Sequence, residues 1–407
     1  MTGALSHVRV LDLSRVLAGP WASQALADLG AEVIKIERPG SGDDTRSWGP
    51  PYLNDRDGRA TGESAYYLCA NRAKKSVAVD IATPEGQEIV RRLAAGSDIL
   101  LENYKVGSLR RYGLDYDSLR AVNPRLIYCS ITGFGQSGPY AERAGYDFII
   151  QGMGGLMSIT GERDGFPGGG PQKVGVAVAD LMTGMYAAVG VLAALAHREV
   201  SGQGQHVDLA LLDVQVAMLG NIASNYLVSG KLPRRWGNAH ANIVPYQVFG
   251  CRDGQIIVAV GNDAQFRRFC EVAGCGELAA DPRFATNSAR VTNRTVLVPL
   301  LAEIMLRRGV KDWLAALDAA DIPCGPINDL EQVFSDPQVQ ARGVRVDVPH
   351  PLSGTVPQVA NPIRLSATPV AYRAAPPTLG QHTREVLQGI LAMDEGELAE
   401  LAHKGVI

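Results

Sequence analysis

Apolar runs and amphipathic stretches alternate along the first third of the chain. Residues 8–13 (VRVLDL) and 31–37 (AEVIKIE) are typical of buried strands, and residues 21–30 (WASQALADLG) between them fit a short helix that ends at a glycine. Two strands joined through a helix need a crossover connection, which makes the strands parallel. The pattern therefore predicts an α/β sheet.

The alternation continues towards the middle of the chain. Three more strands are predicted, at residues 75–81, 98–103 and 125–132. Residues 83–96 predict a helix with Pro84 in its first turn, and two long helices of small apolar residues follow at about 180–198 and 209–227. We therefore expect a Rossmann-like parallel sheet covered by helices.

The character of the chain changes near residue 231. A connector rich in Pro, Arg and Gly leads into short strands, with Asp253–Gly254 as the predicted hairpin turn, and amphipathic helices follow. We expect a large α/β domain that begins at residues 1–228, a smaller α+β domain at residues 229–328, and a return of residues 329–407 to the large domain.

Composition excludes several classes of partner. The 407 residues carry a formal net charge of −3, so the chain has no basic excess that would favour nucleic acid. The six cysteines form no C-x-x-C pair, so we expect no metal site. No run of eighteen apolar residues and no targeting segment is present, which predicts a cytoplasmic protein that does not span a membrane.

Two features imitate a dinucleotide site. The loop Gly133–Gly138 (GFGQSG) matches G-x-G-x-x-G, but Pro139 follows at once, where the motif requires the start of a helix. Glu37 stands where a Rossmann enzyme keeps its ribose-binding acid, yet the first turn has only one glycine. Arg38 follows directly, either as a solvated charge or as a partner for a phosphate. We favour a glycine-rich loop over nucleotide binding.

Asp180 is the acid with the most suggestive surroundings. It lies among small apolar residues at the start of a predicted helix (VAVADLMTGMYA). An aspartate at such a place can be a helix N-cap. It can also be a desolvated carboxylate nucleophile, since the small neighbours leave room for a substrate. The residues alone leave both interpretations open.

Segments along the whole chain resemble the class III CoA-transferase (CaiB/BaiF) family, which has an α/β fold and forms interlocked homodimers. The matching segments keep the family order, at residues 10–46, 71–81, 100–119, 123–147, 178–195, 237–249, 323–329 and 379–387. Residues 37–52 (ERPGSGDDTRSWGPPY) and 234–249 (RRWGNAHANIVPYQVF) look closest to the succinyl-CoA:glutarate CoA-transferase branch.

The resemblance assigns roles to single residues. The nucleophilic aspartate of the family falls on Asp180, in ADLMTGMYA. The family's contacts to CoA and the site fall on Arg38, Val79, Asn103, Tyr104, Arg111 and Asp147. Arginines suit the phosphates of CoA, while the amide and the aromatic ring suit its pantetheine or adenine.

The sequence also departs from two branches of the family. The formyl-CoA branch has Gln and Lys where this chain has Leu17 and Ala144, so formate–oxalate specificity is not expected. The α-methylacyl-CoA racemases use the histidine of R-A-G-H-D, where this chain has Tyr146. A phenol with an ordinary pKa near 10 is a poor proton shuttle at neutral pH, so racemisation is only the alternative to CoA transfer.

The resemblance therefore implies an enzyme that moves CoA from a donor such as succinyl-CoA to a carboxylic acid, such as the dicarboxylate glutarate. Coenzyme A would enter as acyl-CoA substrate, with no permanently bound cofactor and a second copy of the chain as partner. Arg234, Arg235 and His240 are candidates to hold the distal carboxylate, although the two arginines also fit a solvated turn.

Overall fold

A computed structural model describes residues 3–407 of the chain. Its strands are β1 Arg9–Asp12, β2 Glu32–Glu37, β3 Tyr52–Asn54, β4 Ala60–Ser64, β5 Lys74–Ala78, β6 Ile99–Glu102, β7 Ile127–Thr132, β8 His206–Ala210, β9 Tyr246–Cys251, β10 Gly254–Ala259, β11 Cys324–Pro326, β12 Arg345–His350 and β13 Gly354–Val359.

The α-helices alternate with the strands in the first half of the chain and dominate after β10. They are α1 Ala18–Asp28, α2 Ala65–Leu68, α3 Pro84–Ala95, α4 Tyr116–Val122, α5 Asp147–Met153, α6 Leu156–Ile159, α7 Val178–Ser201, α8 Leu211–Ala217, α9 Gly220–Ser229, α10 Asp263–Ala273, α11 Gly276–Ala280, α12 Asn287–Thr292, α13 Arg294–Met305, α14 Val310–Ala319, α15 Leu330–Ser335, α16 Pro337–Ala341, α17 Thr383–Leu391 and α18 Glu395–His403.

The chain forms two compact units. The first comprises the chain up to Leu156, Val174–Val228 and Gln340–Ile407, and the second comprises Met157–Lys173 and Ser229–Val339. The domain boundaries expected from the sequence stay a prediction.

A six-stranded parallel sheet is the centre of the first unit. Its strand order is β5-β2-β1-β6-β7-β8, and β1 pairs with β2 on one side and with β6 on the other. The chain runs outward from β1 to β5 and then returns to β6, so a switch point lies between β1 and β6. In open α/β sheets, ligands bind beyond the carboxyl ends of the strands at such a point. The predicted mixed α/β fold with a parallel sheet is confirmed.

Apolar side chains cover both faces of this sheet. Leu11 and Ile34 belong to the core on the face of α3, α17 and α18, whereas Val10 and Val33 belong to the core on the face of α1 and α7. Successive strand residues point to opposite faces, so a doubly covered strand must be apolar at nearly every position. This requirement explains the short apolar runs Val10–Leu11 and Val33–Ile34, which the buried charged residues Asp12 and Lys35 interrupt.

Helix α7 packs against α1 and the sheet. It has the length and composition of a membrane-spanning helix, but Ala187 and Val191 on its inner face are fully buried in the core of the unit. Gly184 allows the close approach to α1, because an added Cβ would lie 2.6 Å from the carbonyl oxygen of Ala18. The helix therefore serves as the core helix that positions its first turn, where Asp180 lies.

The second unit has its own core. An antiparallel sheet of order β11-β10-β9 is covered by helices α10 to α14, and Phe249, Phe266 and Trp313 are buried between them. The β9–β10 hairpin turns at Arg252–Asp253, one residue earlier than predicted, since Gly254 already pairs with Cys251.

One predicted helix is wrong in part. Residues 206–210, whose end overlaps the expected helix 209–227, form strand β8, which pairs in parallel with β7 at the edge of the sheet. The rest is divided into α8 and α9, and Gly220, the first residue of α9, has a φ of 50°. A short apolar run followed by helix-forming residues has no periodicity that would reveal the strand.

Candidate active site

A cavity of about 180 Å³ lies at the carboxyl ends of β1, β6 and β7 in the first unit. Four stretches of the chain and the single residues Asp44, Asp180 and Leu211 build its wall. The four stretches contribute, among others, Arg15, Val16, Leu17, Ala18, Asn103, Tyr104, Lys105, Arg143 and Tyr146. The cavity occupies the switch point of the sheet, where ligands are expected.

Asp180 stands in the first turn of α7. The N-cap of that helix is Ala177, which makes no side-chain cap, so the interpretation of Asp180 as an N-cap is wrong. Within residues 3–407 no hydrogen bond to the carboxylate of Asp180 is found. Burial and, to a smaller extent, the negative charge of Asp147 raise the pKa of Asp180 to about 7. A poorly solvated carboxylate without hydrogen bonds is suited to nucleophilic attack.

Asp147 holds the start of α7. Its Oδ2 accepts a hydrogen bond from the backbone N–H of Ala179 at 2.8 Å, and its Oδ1 accepts one from Nε2 of Gln151 at 2.6 Å. The side chain therefore satisfies a free N–H of the first helical turn and fixes the direction of α7. This contact places Asp147 beside Asp180, and the contact of Asp147 to CoA that the resemblance implies stays a prediction.

Asn103 and Tyr104 follow β6 and reach the cavity together. The amide of Asn103 accepts from the backbone N–H of Arg15 at 2.9 Å and donates to the carbonyl oxygen of Arg15 at 2.6 Å. Glu102, which is buried, accepts from the backbone N–H of Tyr104 at 2.8 Å, and burial raises the pKa of Glu102 to about 7. The loop after β6 is thus tied to the loop after β1.

Besides Asp147, three predicted CoA contacts lie outside the lining of this cavity. Arg38 is exposed directly after β2, and Val79 is buried directly after β5, where its N–H donates to the carbonyl oxygen of Glu37 at 2.8 Å. Arg111 is exposed and lies over the ring of Tyr112, 4.6 Å from its centroid. All three follow strands whose carboxyl ends share one edge of the sheet, and their contacts to CoA stay predictions.

Neither of the two features that resemble a dinucleotide site has the geometry of such a site. The Glu37 carboxylate pairs with Arg46 at 2.8 Å in a buried ion pair, so it is not offered to a ribose. No helix begins at Gly138, which has a φ of 92° in an irregular loop.

The candidates for a distal carboxylate lie in the second unit. Arg235 pairs with Asp164 and also donates to the carbonyl oxygen of Ser158 at 3.1 Å, while Arg234 is exposed. The Nδ1 atom of His240 accepts from the backbone N–H of Asn242 at 3.0 Å. Whether these three side chains bind substrate stays a prediction.

Sequence reasoning missed the cations of the cavity itself. Arg15, Lys105 and Arg143 line the cavity with Asp180. Arg15 is paired with Asp44 at 3.0 Å, whereas the guanidinium of Arg143 lies against the rings of Phe134 and Tyr140, 5.3 Å and 4.6 Å from their centroids. Their positions in irregular loops give no periodic signal, although Arg143 stands only four residues before Asp147 in the segment that carried the resemblance.

The comparisons with known proteins concern the chain as a whole. The family model described as CoA-transferase family III matches residues 5–383. The chain belongs to the class III CoA-transferases. It is 53% identical to a succinate–glutarate CoA-transferase of Agrobacterium fabrum over 94% of both chains, and 46% identical to the succinyl-CoA:glutarate CoA-transferase of Mus musculus over 99% of this chain and 90% of the mouse protein.

A solved structure shows the same class III CoA-transferase fold. The CaiB/BaiF family protein of Brucella suis superposes with a TM-score of 0.83 at 49% identity, covering 96% of this chain and 100% of that one. The family, the fold class and the enzyme class expected from the sequence are therefore confirmed. Acyl-CoA and a carboxylic acid are substrates that fit an enzyme of this family.

Proposed function

We propose that this class III CoA-transferase moves CoA from succinyl-CoA to a second dicarboxylic acid, such as glutarate, through Asp180. The observation that carries the proposal is a carboxylate in a helix-bounded cavity, poorly solvated and free of hydrogen bonds within the described chain. The identities of 53% and 46% to enzymes named for succinate and glutarate support the choice of acids.

The chemistry needs a carboxylate nucleophile and no proton transfer. A carboxylate oxygen of Asp180 attacks the thioester carbonyl of the donor, which forms a mixed anhydride and expels CoA as thiolate. The thiolate attacks the aspartyl carbonyl of the anhydride, which releases the donor acid and leaves an aspartyl–CoA thioester. The acceptor carboxylate then attacks the aspartyl carbonyl of that thioester, which forms a second mixed anhydride and expels the CoA thiolate again. The thiolate attacks the acceptor's carbonyl in this anhydride, which gives the new acyl-CoA and frees Asp180.

The cavity is also suited to an acid with a second charge. The Arg15–Asp44 pair is neutral, so Arg143 and Lys105 are the cations left over beside Asp180 in the lining. A dicarboxylate bound with one carboxylate at Asp180 would meet this positive charge with its other end. Arg234, Arg235 and His240 remain the second candidate set for the same role.

The racemase alternative lacks its second acid–base group. Tyr146 lines the cavity at the position where the racemases have a histidine.

We also propose that the enzyme acts as a cytoplasmic homodimer without a permanently bound cofactor. All six cysteines are free, which fits a reducing compartment. Apolar side chains on α7 and α9 are exposed in the single chain, which supports a second copy as their cover.

The test is mass spectrometry of CoA esters after incubation of the protein with succinyl-CoA and glutarate, itaconate, malate, oxalate or acetate. Glutaryl-CoA should form with the wild type and with Asp57→Asn, an exposed control, and should be absent with Asp180→Ala. Exchange by Asp180→Ala at the wild-type rate would refute the nucleophile. Exchange only with acetate would refute the dicarboxylate, and exchange only with oxalate would refute glutarate as the acceptor.

A further inference from the structure

The wall of the Asp180 cavity contains a backbone conformation that its residue disfavours. Val16 has a φ of 69°, in the left-handed region, and it lines the cavity between Arg15 and Leu17. A β-branched residue rarely adopts this region, because its Cβ approaches the following carbonyl oxygen. Such strain persists only where the surroundings enforce the conformation.

The backbone around Val16 is held at several consecutive groups. The N–H of Val16 donates to Oδ1 of Asp43 at 3.2 Å, and the carbonyl oxygen of Ser14 accepts from Nζ of Lys35 at 2.7 Å. Between them, both backbone groups of Arg15 are bonded to the amide of Asn103. The contacts come from different elements, so the turn has little freedom to relax.

A buried ion pair anchors one side of this turn. Nζ of Lys35 lies 2.9 Å from Oδ2 of Asp43, and both side chains are 0% exposed. Burial alone would raise the pKa of Asp43, but the Lys35 ammonium and the hydrogen bonds from Thr45 lower it to about 2. Asp43 is therefore ionised throughout the neutral range, and the reaction itself has no use for it.

We propose that Asp43, held by Lys35, is a positioning residue that keeps Val16 in the left-handed conformation and thereby fixes Leu17 and Ala18 in the wall beside Asp180. The wall is then in place before the acyl-CoA arrives. A displacement of about 1 Å at a reacting centre can lower a rate by about a hundredfold, so such preorganisation affects turnover.

The test is a double-mutant cycle between Asp43→Ala and Val16→Gly. Asp43→Ala alone should lower kcat for CoA exchange by about a hundredfold, with a smaller change in the KM for succinyl-CoA. Glycine adopts a positive φ about as readily as a negative one, so the double variant should regain about tenfold in kcat over Asp43→Ala. Equal losses from Asp43→Ala in the wild-type protein and in the Val16→Gly variant would overturn the proposal.

We call the hydrogen bond from Val16 to Asp43 the clamp. A matched control separates the effect of the clamp from that of a general loss of hydrogen bonds. The Thr45 hydroxyl donates to the same Oδ1 of Asp43 at 2.8 Å. Thr45→Val removes that bond and leaves the partner of Val16 in place, so its kcat should stay close to that of the wild type. If Asp43→Ala does not fold, Asp43→Asn replaces it, and the same rescue by Val16→Gly is expected with smaller amplitude.

Thermal unfolding of the same proteins needs no activity and therefore does not depend on the proposed function. Val16→Gly relieves strain only where Asp43 enforces it, so it should shift the midpoint upward more in the wild-type protein than in the Asp43→Ala variant. The same shift in both proteins would overturn the clamp. A wild type that exchanges no CoA, with the expected thermal cycle, would refute the proposed function and leave the clamp standing.

Discussion

The surroundings of Asp180 disfavour the ionised form of its carboxyl group. Burial is the main cause of its raised pKa, and the nearby Asp147 adds like-charge repulsion, which together bring the pKa to about 7. A more basic carboxylate is a stronger nucleophile, but only its ionised fraction can react. The environment of Asp180 thus lowers the ionised fraction of its carboxyl group at neutral pH and makes that ionised fraction more nucleophilic.

This pKa predicts the pH dependence of the acyl-transfer step. Protonation removes the nucleophile, so the single-turnover rate should rise as the pH increases through about 7 and fall roughly tenfold per unit below about pH 6. Stopped incubations of enzyme with succinyl-CoA between pH 5.5 and 8.5, followed by mass spectrometry of the acyl enzyme, would measure the midpoint.

A variant of Asp147 identifies the group that titrates. Asp147→Asn removes the like charge and keeps an oxygen for the N–H of Ala179, so the midpoint should move to lower pH. Glu102, whose pKa is also about 7, would keep its own midpoint in that variant. An unmoved profile would assign the titration to Glu102 or another group.

The two candidate sets for the distal carboxylate can be separated at single residues. Arg143→Gln should raise the KM for glutarate by about ten- to a hundredfold, the expected loss for a charged hydrogen bond, and should change the KM for acetyl-CoA little. Arg235→Gln is the comparison, because Arg235 is already paired with Asp164. Initial rates with glutarate, and with pentanoate, which lacks the second carboxylate, would decide which set binds the distal carboxylate. A rise for both acids or for acetyl-CoA would place Arg143 at the phosphates of CoA.

The role of a single residue was predictable only where the residue belongs to a recognisable motif. Asp180 stands out because an acid among small apolar residues is unusual, and the family segment gives it a role. Tyr66 carried no such signal, although burial and then the charge of Asp180 raise its pKa to about 12. Its proximity to Asp180 arises from the packing of α2, which local sequence does not specify.

At the scale of elements, one buried ion pair joins the edge of the sheet to α1. Arg72 lies 2.6 Å from Asp28 of α1 and also donates to the carbonyl oxygen of Val359, while Asn361 donates to the same aspartate. The pair therefore connects α1 with the C-terminal part of the first unit.

Arg72→Ala should lower the free energy of unfolding by about 3–5 kcal/mol, since it leaves the Asp28 carboxylate buried without its charge partner. Arg59→Ala removes an exposed pair with Asp57 and should cost less than about 1 kcal/mol. Urea unfolding followed by circular dichroism would measure both. Similar values for the two variants would show that the buried pair contributes little.

The parallel strands were predictable because coverage on both faces favours apolar residues at successive positions, as at Val10–Leu11 in β1 and Val33–Ile34 in β2. Strand β8 was not, since its pattern of burial is mixed at the edge of the sheet. Whether residues 206–210 pair or continue a helix depends on β7, which lies about 75 residues earlier in the chain. Non-local pairing of this kind leaves no local periodicity.

At the scale of the molecule, the cavity combines residues that are far apart in the sequence. Arg15, Asn103, Arg143 and Asp180 meet only because three parallel strands end at one edge and α7 begins there. The sheet order follows from crossovers, and that order decides which loops become neighbours. The sequence predicted a parallel sheet but no strand order, so it did not place the site at the switch point.

Helices α7 and α9 give the prediction for the assembly. Val189 and Val200 of α7 are 61% and 91% exposed, and Leu227 and Val228 of α9 are 78% and 89% exposed. These four side chains, on two helices of one unit, expose apolar surface whose contact with water is unfavourable. Burying that surface would stabilise an assembly by about 25 cal/mol per Å². A second copy of the chain is the partner that the family resemblance implies.

Light scattering after gel filtration should therefore give twice the chain mass of 43.4 kDa at micromolar concentration. Leu227→Glu with Val228→Glu would place two charges in the proposed contact and should shift the protein towards the monomer. Val122→Glu, at an exposed valine that ends α4, should leave the dimer intact. A wild type of monomer mass would refute the homodimer, and the exposed valines and leucine would then need a different partner. Because the cavity lies within one unit, CoA exchange by the monomeric variant would further show whether a partner is required for turnover.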